Sequence, residues 1–218
     1  MVRHDEVKVV KGRKRAFLGD ELVGLSCSSC RRLLPLKSFN ANKDGYAGKH
    51  RTCKNCNKQY LNDWRGEQPH KYLASTHNTR ARKHGTKGYL DEYNTDIILA
   101  CAGVRTINGV NVARCQVTGA WTSNFDVCHV QSLKVGGNSE YGNIFIASRG
   151  VNIRQDNVHL LEWLLTESAY EIANPEYVEW LITNLAQRNM KSVKDYVVSE
   201  IGLEGYTRLK ELYFEEYN

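Results

Sequence analysis

Apolar and polar positions change rhythm along the chain. Up to about residue 66 apolar residues are sparse, and Leu33, Leu34, Leu36 and Phe39 make only a minimal core. From 67 to 109 the spacing turns helical, predicting one helix from about Tyr72 to Lys83, stopped at Gly85. A second is predicted in "NTDIILACAG", with Asn94 or Thr95 as its cap, Ile97 and Ile98 on apolar faces and Cys101 buried. Between 110 and 157 two extended runs, near 112–117 and 125–130, precede a loop with Gly136 and Gly137. There follows "NIFIASRGVNIRQ", a short apolar stretch running into a helix, so the coarse order is strand, strand, helix. Residues 158–218 are again helical in period, with breaks near Ala173–Glu176, "RNMKS" and "GLEG". They predict three or four helices packed through Leu160, Leu164, Tyr177, Trp180, Leu181 and Leu185. The expectation is an α+β chain in four segments, 1–66, 67–109, 110–157 and 158–218.

At 218 residues and 41% hydrophobic content the chain can fill a modest core. Its longest apolar runs are too short to cross a bilayer, and "MVRHDEVKVVKGRKR" lacks a signal peptide's apolar block, so a cytoplasmic protein with no membrane partner is expected. The net charge of +6 conceals an asymmetry. Residues 1–90 carry 20 Lys+Arg against 7 Asp+Glu, and residues 91–218 carry 10 against 17. A basic first half points to a polyanion partner, duplex DNA, engaged mainly there. From residue 157 onward 5 basic residues face 11 acidic ones, which disfavours DNA wrapping and leaves a packing scaffold or a homodimer surface.

Seven cysteines include two Cys-x-x-Cys pairs, Cys27 with Cys30 and Cys53 with Cys56, separated by 22 residues. Each pair can turn two thiolates toward one ion, and together they complete a tetrahedron with no open position, so the spacing predicts a structural Zn²⁺ in a ribbon or knuckle. Such use of cysteine implies a reducing compartment. The surrounding loop is basic, with Arg31, Arg32, Lys37, Lys43, Lys49, Arg51, Lys54 and Lys58, and His50 is a spare ligand. Tyr60 and Trp64 are expected to pack on the zinc unit.

The segment "CSSCRRLLPLKSFNANKDGYAGKHRTCKNCNKQYLNDWR" resembles the four-cysteine modules that precede nuclease cores in phage proteins, including the endonuclease VII group and some homing endonucleases. Residues 112–157, through "FDVCHVQSLKVGGNSEYGNIFIASRGVNIRQ", resemble the HNH, or ββα-metal, nucleases. The resemblance implies that His129 activates water, Asn143 braces the loop and orients that His, and Asn152 on the helix binds a divalent ion. Attack on a phosphodiester needs a base that is neutral near pH 7 and a cation to offset developing charge. Oxygen ligands suit Mg²⁺ or Mn²⁺. Where the family has Asp or His just before the catalytic His, this chain has Cys128, a soft thiol. Asp126, two positions earlier, is the alternative ligand. Arg149 and Arg154 flank Asn152, either as phosphate contacts or as solvated helix charges. The resemblance thus implies a metal-dependent DNA endonuclease, homing or free-standing, leaving 3′-hydroxyl and 5′-phosphate ends. The alternatives are a restriction-type or junction-cleaving nuclease on the same core, or a zinc-containing DNA-binding protein whose core is inactive.

Overall fold

The computed structural model describes residues 2–86 and 88–214, so the predicted helical region 158–218 is described as far as residue 214. The chain divides into two compact units, residues 1–69 and 70–218.

The first unit begins with three antiparallel strands, β1 (Glu6–Val10), β2 (Arg13–Leu18) and β3 (Glu21–Ser26). The basic N-terminal segment is therefore a meander. Lys11 and Gly12, both at positive φ (49° and 74°), turn β1 into β2, a two-residue hairpin of the kind that needs left-handed residues. β4 (Leu33–Pro35) adds to β3, while β5 (Phe39–Ala41) pairs with β6 (Lys49–Cys53), which runs into helix α1 (Lys54–Glu67). The buried core is Leu25, Cys27, Phe39 and Cys53, with Leu22, Leu34, Leu36 and Cys56 partly buried around it.

The second unit opens with helices α2 (Pro69–Lys83) and α3 (Glu92–Cys101). α3 begins two residues before the expected cap. Asp91 takes that role, its carboxylate accepting the Asn94 N–H at 2.7 Å, because a carboxylate satisfies a free helix N–H and favours the positive end of the dipole. Strands β7 (Arg105–Ile107), β8 (Val110–Arg114) and β9 (Trp121–Thr122) form one antiparallel sheet. β10 (Phe125–His129) forms another with β11 (Ile144–Ser148), followed directly by helix α4 (Arg149–Gln155). The run near 112–117 thus belongs to a different sheet. The partner of the 125–130 run is the apolar stretch before the helix, which reads as continuous hydrophobics because both its faces are covered.

Alternation along β11 shows this directly. Phe145 and Ala147 join Cys128, Val130 and Val151 in the larger core cluster, with residues of α5 (Leu160–Leu164), α7 (Pro175–Arg188) and α8 (Val193–Tyr213). Ile144 and Ile146 face the other way, onto Ile98, Leu99, Leu90 and Ala113. A short helix, α6 (Glu167–Tyr170), completes the C-terminal set of four. The predicted breaks are there: Pro175 opens α7, Met190 lies at φ 55°, and Gly202 (φ 78°) interrupts α8. Tyr213 Oη donates to the Leu164 carbonyl at 2.8 Å and ties α8 to α5. No described helix is long and apolar enough to cross a membrane.

Candidate functional site

The four cysteines come together as their spacing predicts. Cys27 and Cys30 sit on a turn after β3 closed by Arg31 at φ 61°, and Cys53 ends β6 while Cys56 lies in the first turn of α1. Their sulfurs all lie within 4.8 Å of one another. A tetrahedral zinc with Zn–S of about 2.3 Å has edges of roughly 3.8 Å, so the cluster needs only a small contraction to hold one. Backbone N–H groups of Ser29 (3.4 Å) and Cys53 (3.3 Å) point at the Cys27 sulfur. Burial opposes ionisation of Cys27, but the N–H groups of Cys53, Cys30 and Ser29 outweigh it and hold the thiol at about 6. Cys56 goes the other way, to about 12, because its hydrogen bonds to Cys53 and Cys30 and its desolvation keep the proton on. Four adjoining thiols cannot all ionise without a cation between them, and an all-sulfur donor set is what zinc accepts in closed structural sites. His50 is outside the cluster; its Nδ1 accepts the Thr52 N–H at 3.3 Å.

The second site is built on β10, β11 and α4. The strands pair antiparallel with His129 opposite Ile144 and Asp126 opposite Ala147. Ser148 caps α4 through its hydroxyl, which accepts the Val151 N–H at 3.3 Å. At the far end, buried Gln155 donates from Nε2 to the carbonyls of His129 (3.0 Å), Val130 (3.4 Å) and Val158 (3.2 Å), tying the helix to the end of β10. That clamp holds Asn152 over the strand, and its Nδ2 donates to Asp126 Oδ2 at 2.9 Å. Arg149 Nη1 stands 3.8 Å from the other carboxylate oxygen. Asp126, Arg149 and Asn152 share a cleft of about 390 Å³ with Thr76, His77 and Arg80 of α2.

Asn143 braces the loop between the strands. Its Nδ2 donates to the carbonyls of Asn138 (2.7 Å) and Gln131 (3.0 Å), and its Oδ1 accepts the Gln131 N–H at 2.8 Å. Gly137 is required at the same place, since a Cβ there would collide with the Gln131 carbonyl oxygen.

His129 does not line the cleft; its half-buried ring lies 5.2 Å, centroid to centroid, from that of His77, which does. Its Nε2 is 3.2 Å from Ser139 Oγ, and Ser139 directs its hydroxyl to the His77 carbonyl at 3.3 Å. With its one proton directed at the His77 carbonyl, Ser139 accepts from His129 Nε2–H. This sets the Nε2–H tautomer and leaves the lone pair on Nδ1. Burial, then the neighbouring His77, Arg80 and His84, lowers His129 to about 3. Burial followed by Arg80 lowers His77 to about 4, and the His77 Nδ1 has no hydrogen-bond partner among the described residues. Both imidazoles are therefore neutral at pH 7.

Cys128 points away from this chemistry. It is 2% exposed, packed in the larger core cluster, with its sulfur 3.6 Å from the Asp126 carbonyl. Burial, reinforced by the Asp126 carboxylate and opposed by the Ala147 backbone N–H, pushes its thiol far above the usual range. Arg154 reaches outward to the Ser168 carbonyl (3.4 Å) and Glu171 (3.9 Å).

Sequence reasoning missed Ser139 and His77. Ser139 carries a weak local signal, lying just past the Gly-Gly turn that folds back toward His129. His77 has none, because its proximity comes from how α2 packs. Comparison with protein-family models, with curated proteins and with solved structures finds no match for this chain.

Proposed function

We propose that this protein is a metal-dependent DNA endonuclease of the ββα-metal type, with a basic, zinc-stabilised first unit that binds duplex DNA. The observation that carries the reading is the Asn152–Asp126 contact of 2.9 Å between α4 and the first strand of an antiparallel hairpin. It joins a carboxylate and an amide, both oxygen ligands, beside two guanidinium groups, a combination suited to a hard divalent cation and a phosphate. Asp126, with Asn152 Oδ1, would hold Mg²⁺ or Mn²⁺, and Cys128 takes no part. When bound, the cation supplies charge neutralisation at the scissile phosphate and its leaving oxygen.

The chain's own groups do the rest. His129, neutral and with its lone pair on Nδ1, takes the proton from the attacking water. Asn143 keeps the loop that follows β10 in register, and Arg80 and Arg149 hold phosphate oxygens. Hydrolysis then leaves 3′-hydroxyl and 5′-phosphate ends.

Plasmid cleavage with Mg²⁺ or Mn²⁺ tests the proposal. His129→Ala is expected to slow cleavage by about 10²–10⁴-fold with DNA binding unchanged, the usual contribution of a general base. Cleavage at the wild-type rate would remove His129 as the base. A wild-type protein that binds DNA but never cuts it would favour the zinc-containing binding protein, a reading to which the position of His129 outside the cleft already lends weight.

A further inference from the structure

A second cavity in the same unit, of about 270 Å³, is lined by Cys101, Arg114, Gln116, Glu176, Tyr177 and Trp180 and shares no residue with the hairpin cleft. Gln116 decides its chemistry. The side chain is 2% exposed, and its Oε1 accepts the Ile146 N–H at 2.6 Å. Only the oxygen end of an amide can accept, so the orientation is fixed. Nε2 is left as a buried donor for which no described group is the partner. Buried donors are almost always paired, so a lone one at a cavity calls for an acceptor from outside.

The other walls complete a pattern. Glu176, exposed in the first turn of α7, offers an acceptor, and Trp180 (39% exposed) and Tyr177 offer ring faces. Arg114 brings a cation, its guanidinium 5.1 Å from the Tyr177 ring centre and 5.4 Å from that of the exposed Trp121. The seat of Tyr177 is shaped by Gly119, which lies at φ 72° where a Cβ would come within 2.5 Å of the ring. Aromatic faces interleaved with arginine suit stacked bases and their phosphates. The volume falls at the small end of ligand sites, enough for one ring system.

We infer that this cavity binds a single unpaired nucleobase that carries a keto oxygen beside a ring N–H, as thymine, uracil and guanine do and adenine does not. The keto oxygen accepts from Gln116 Nε2, and the ring N–H donates to Glu176. Tyr177 and Trp180 supply the stacking surface, and Arg114 meets the attached phosphate. The same chemistry is presented by a free nucleotide and by a base turned out of a strand. The inference needs no cleavage and stands apart from the nuclease reading.

The full-length chain is titrated with thymidine 5′-monophosphate and with deoxyadenosine 5′-monophosphate, followed by calorimetry and tryptophan fluorescence. The thymidine nucleotide is expected to bind about tenfold or more tightly, one hydrogen-bonded edge being enough for that ratio. Glu176→Ala and Gln116→Ala should each erase the preference, and Trp180→Leu should weaken both nucleotides. Glu176 and Trp180 are exposed, so their variants test the site even if Gln116→Ala lowers stability. A duplex with one bulged thymine, compared with its fully paired counterpart, separates the sources. A tenfold gain lost in Glu176→Ala assigns the site to a strand, and no gain assigns it to free nucleotide. Equal binding of the two nucleotides, or a preference that survives both Glu176→Ala and Gln116→Ala, overturns the inference.

Discussion

The two units solve the problem of burial in opposite ways. In the first, two of the four buried residues of the core cluster are cysteines, and strand β1 is exposed along its whole length. In the second, the hairpin is covered on both faces, with Leu160, Leu161, Leu164, Leu181, Ile182 and Leu185 fully buried against one side and Ile98 and Ala113 against the other. A core that small cannot offset the conformational entropy of some sixty ordered residues. A metal held by the four sulfurs would therefore carry much of the first unit's stability, whereas the second draws on apolar area. One should fail when its metal is lost, the other when its packing is disturbed.

The strongest way to break this contrast is Cys53→Ser. Structural zinc sites contribute apparent binding free energies of about 10–16 kcal/mol at neutral pH, more than a small unit's whole stability. The variant is expected to lose its zinc by elemental analysis and to expose the amides of β1 to β6 to hydrogen exchange, while the melting of the second unit stays in place. Retained zinc, or a second unit that melts with the first, would contradict the division. Under the proposed function, DNA affinity and its salt dependence should fall with the first unit, since the basic excess lies there.

The same contrast explains what was legible in the sequence. Cys-x-x-Cys pairs state their partners in the sequence itself, so the sulfur cluster was readable with its residues. The meander of β1 to β3 was missed because its strands are short, basic and exposed, and the sign to weigh was the Lys11–Gly12 turn. In the second unit, the helical periods predicted α2, α3 and three or four C-terminal helices, of which the described residues form four. Strand pairing did not follow, because two-faced burial erases the alternation that would have marked Ile144–Ser148 as the partner of Phe125–His129. Asp126 and Asn152 were named as candidates, but their contact depends on the Gln155 clamp, a long-range fact. His77 and Ser139 depend wholly on how α2 packs, for which spacing has no sign.

A smaller effect sharpens the contrast through pH. His77 and His129 have folded values lowered to about 4 and about 3 from 6.5. The unfolded chain binds more protons between those values, so the second unit's stability is fully present above pH 6.5 and declines as pH falls toward 4. His77→Leu removes one of the two groups and should flatten this acid limb in urea unfolding monitored from pH 7 to 4. An unchanged slope would mean that the His77 imidazole is not held neutral by burial. The limb belongs to the second unit alone, so a chelator should not move it.

The smallest effect concerns Ser139, which touches no substrate in the proposed reaction and acts through His129. Its hydroxyl accepts a hydrogen bond from His129 Nε2–H and donates one to the His77 carbonyl, and the outcome is a base with its lone pair on Nδ1. Ser139→Ala leaves the ring free to exchange tautomers, at a cost of about one hydrogen bond, roughly 1 kcal/mol. Cleavage should fall by about tenfold in kcat with KM little changed, and Ser139→Thr should restore part of it where the extra methyl fits. A structural role alone would not move the tautomer. Nitrogen-15 spectra of His129 should report a protonated Nε2 in the wild type and a mixture in Ser139→Ala, and this readout needs no cleavage. A wild-type spectrum with the proton on Nδ1 would sink the assignment, whatever the rate of cutting.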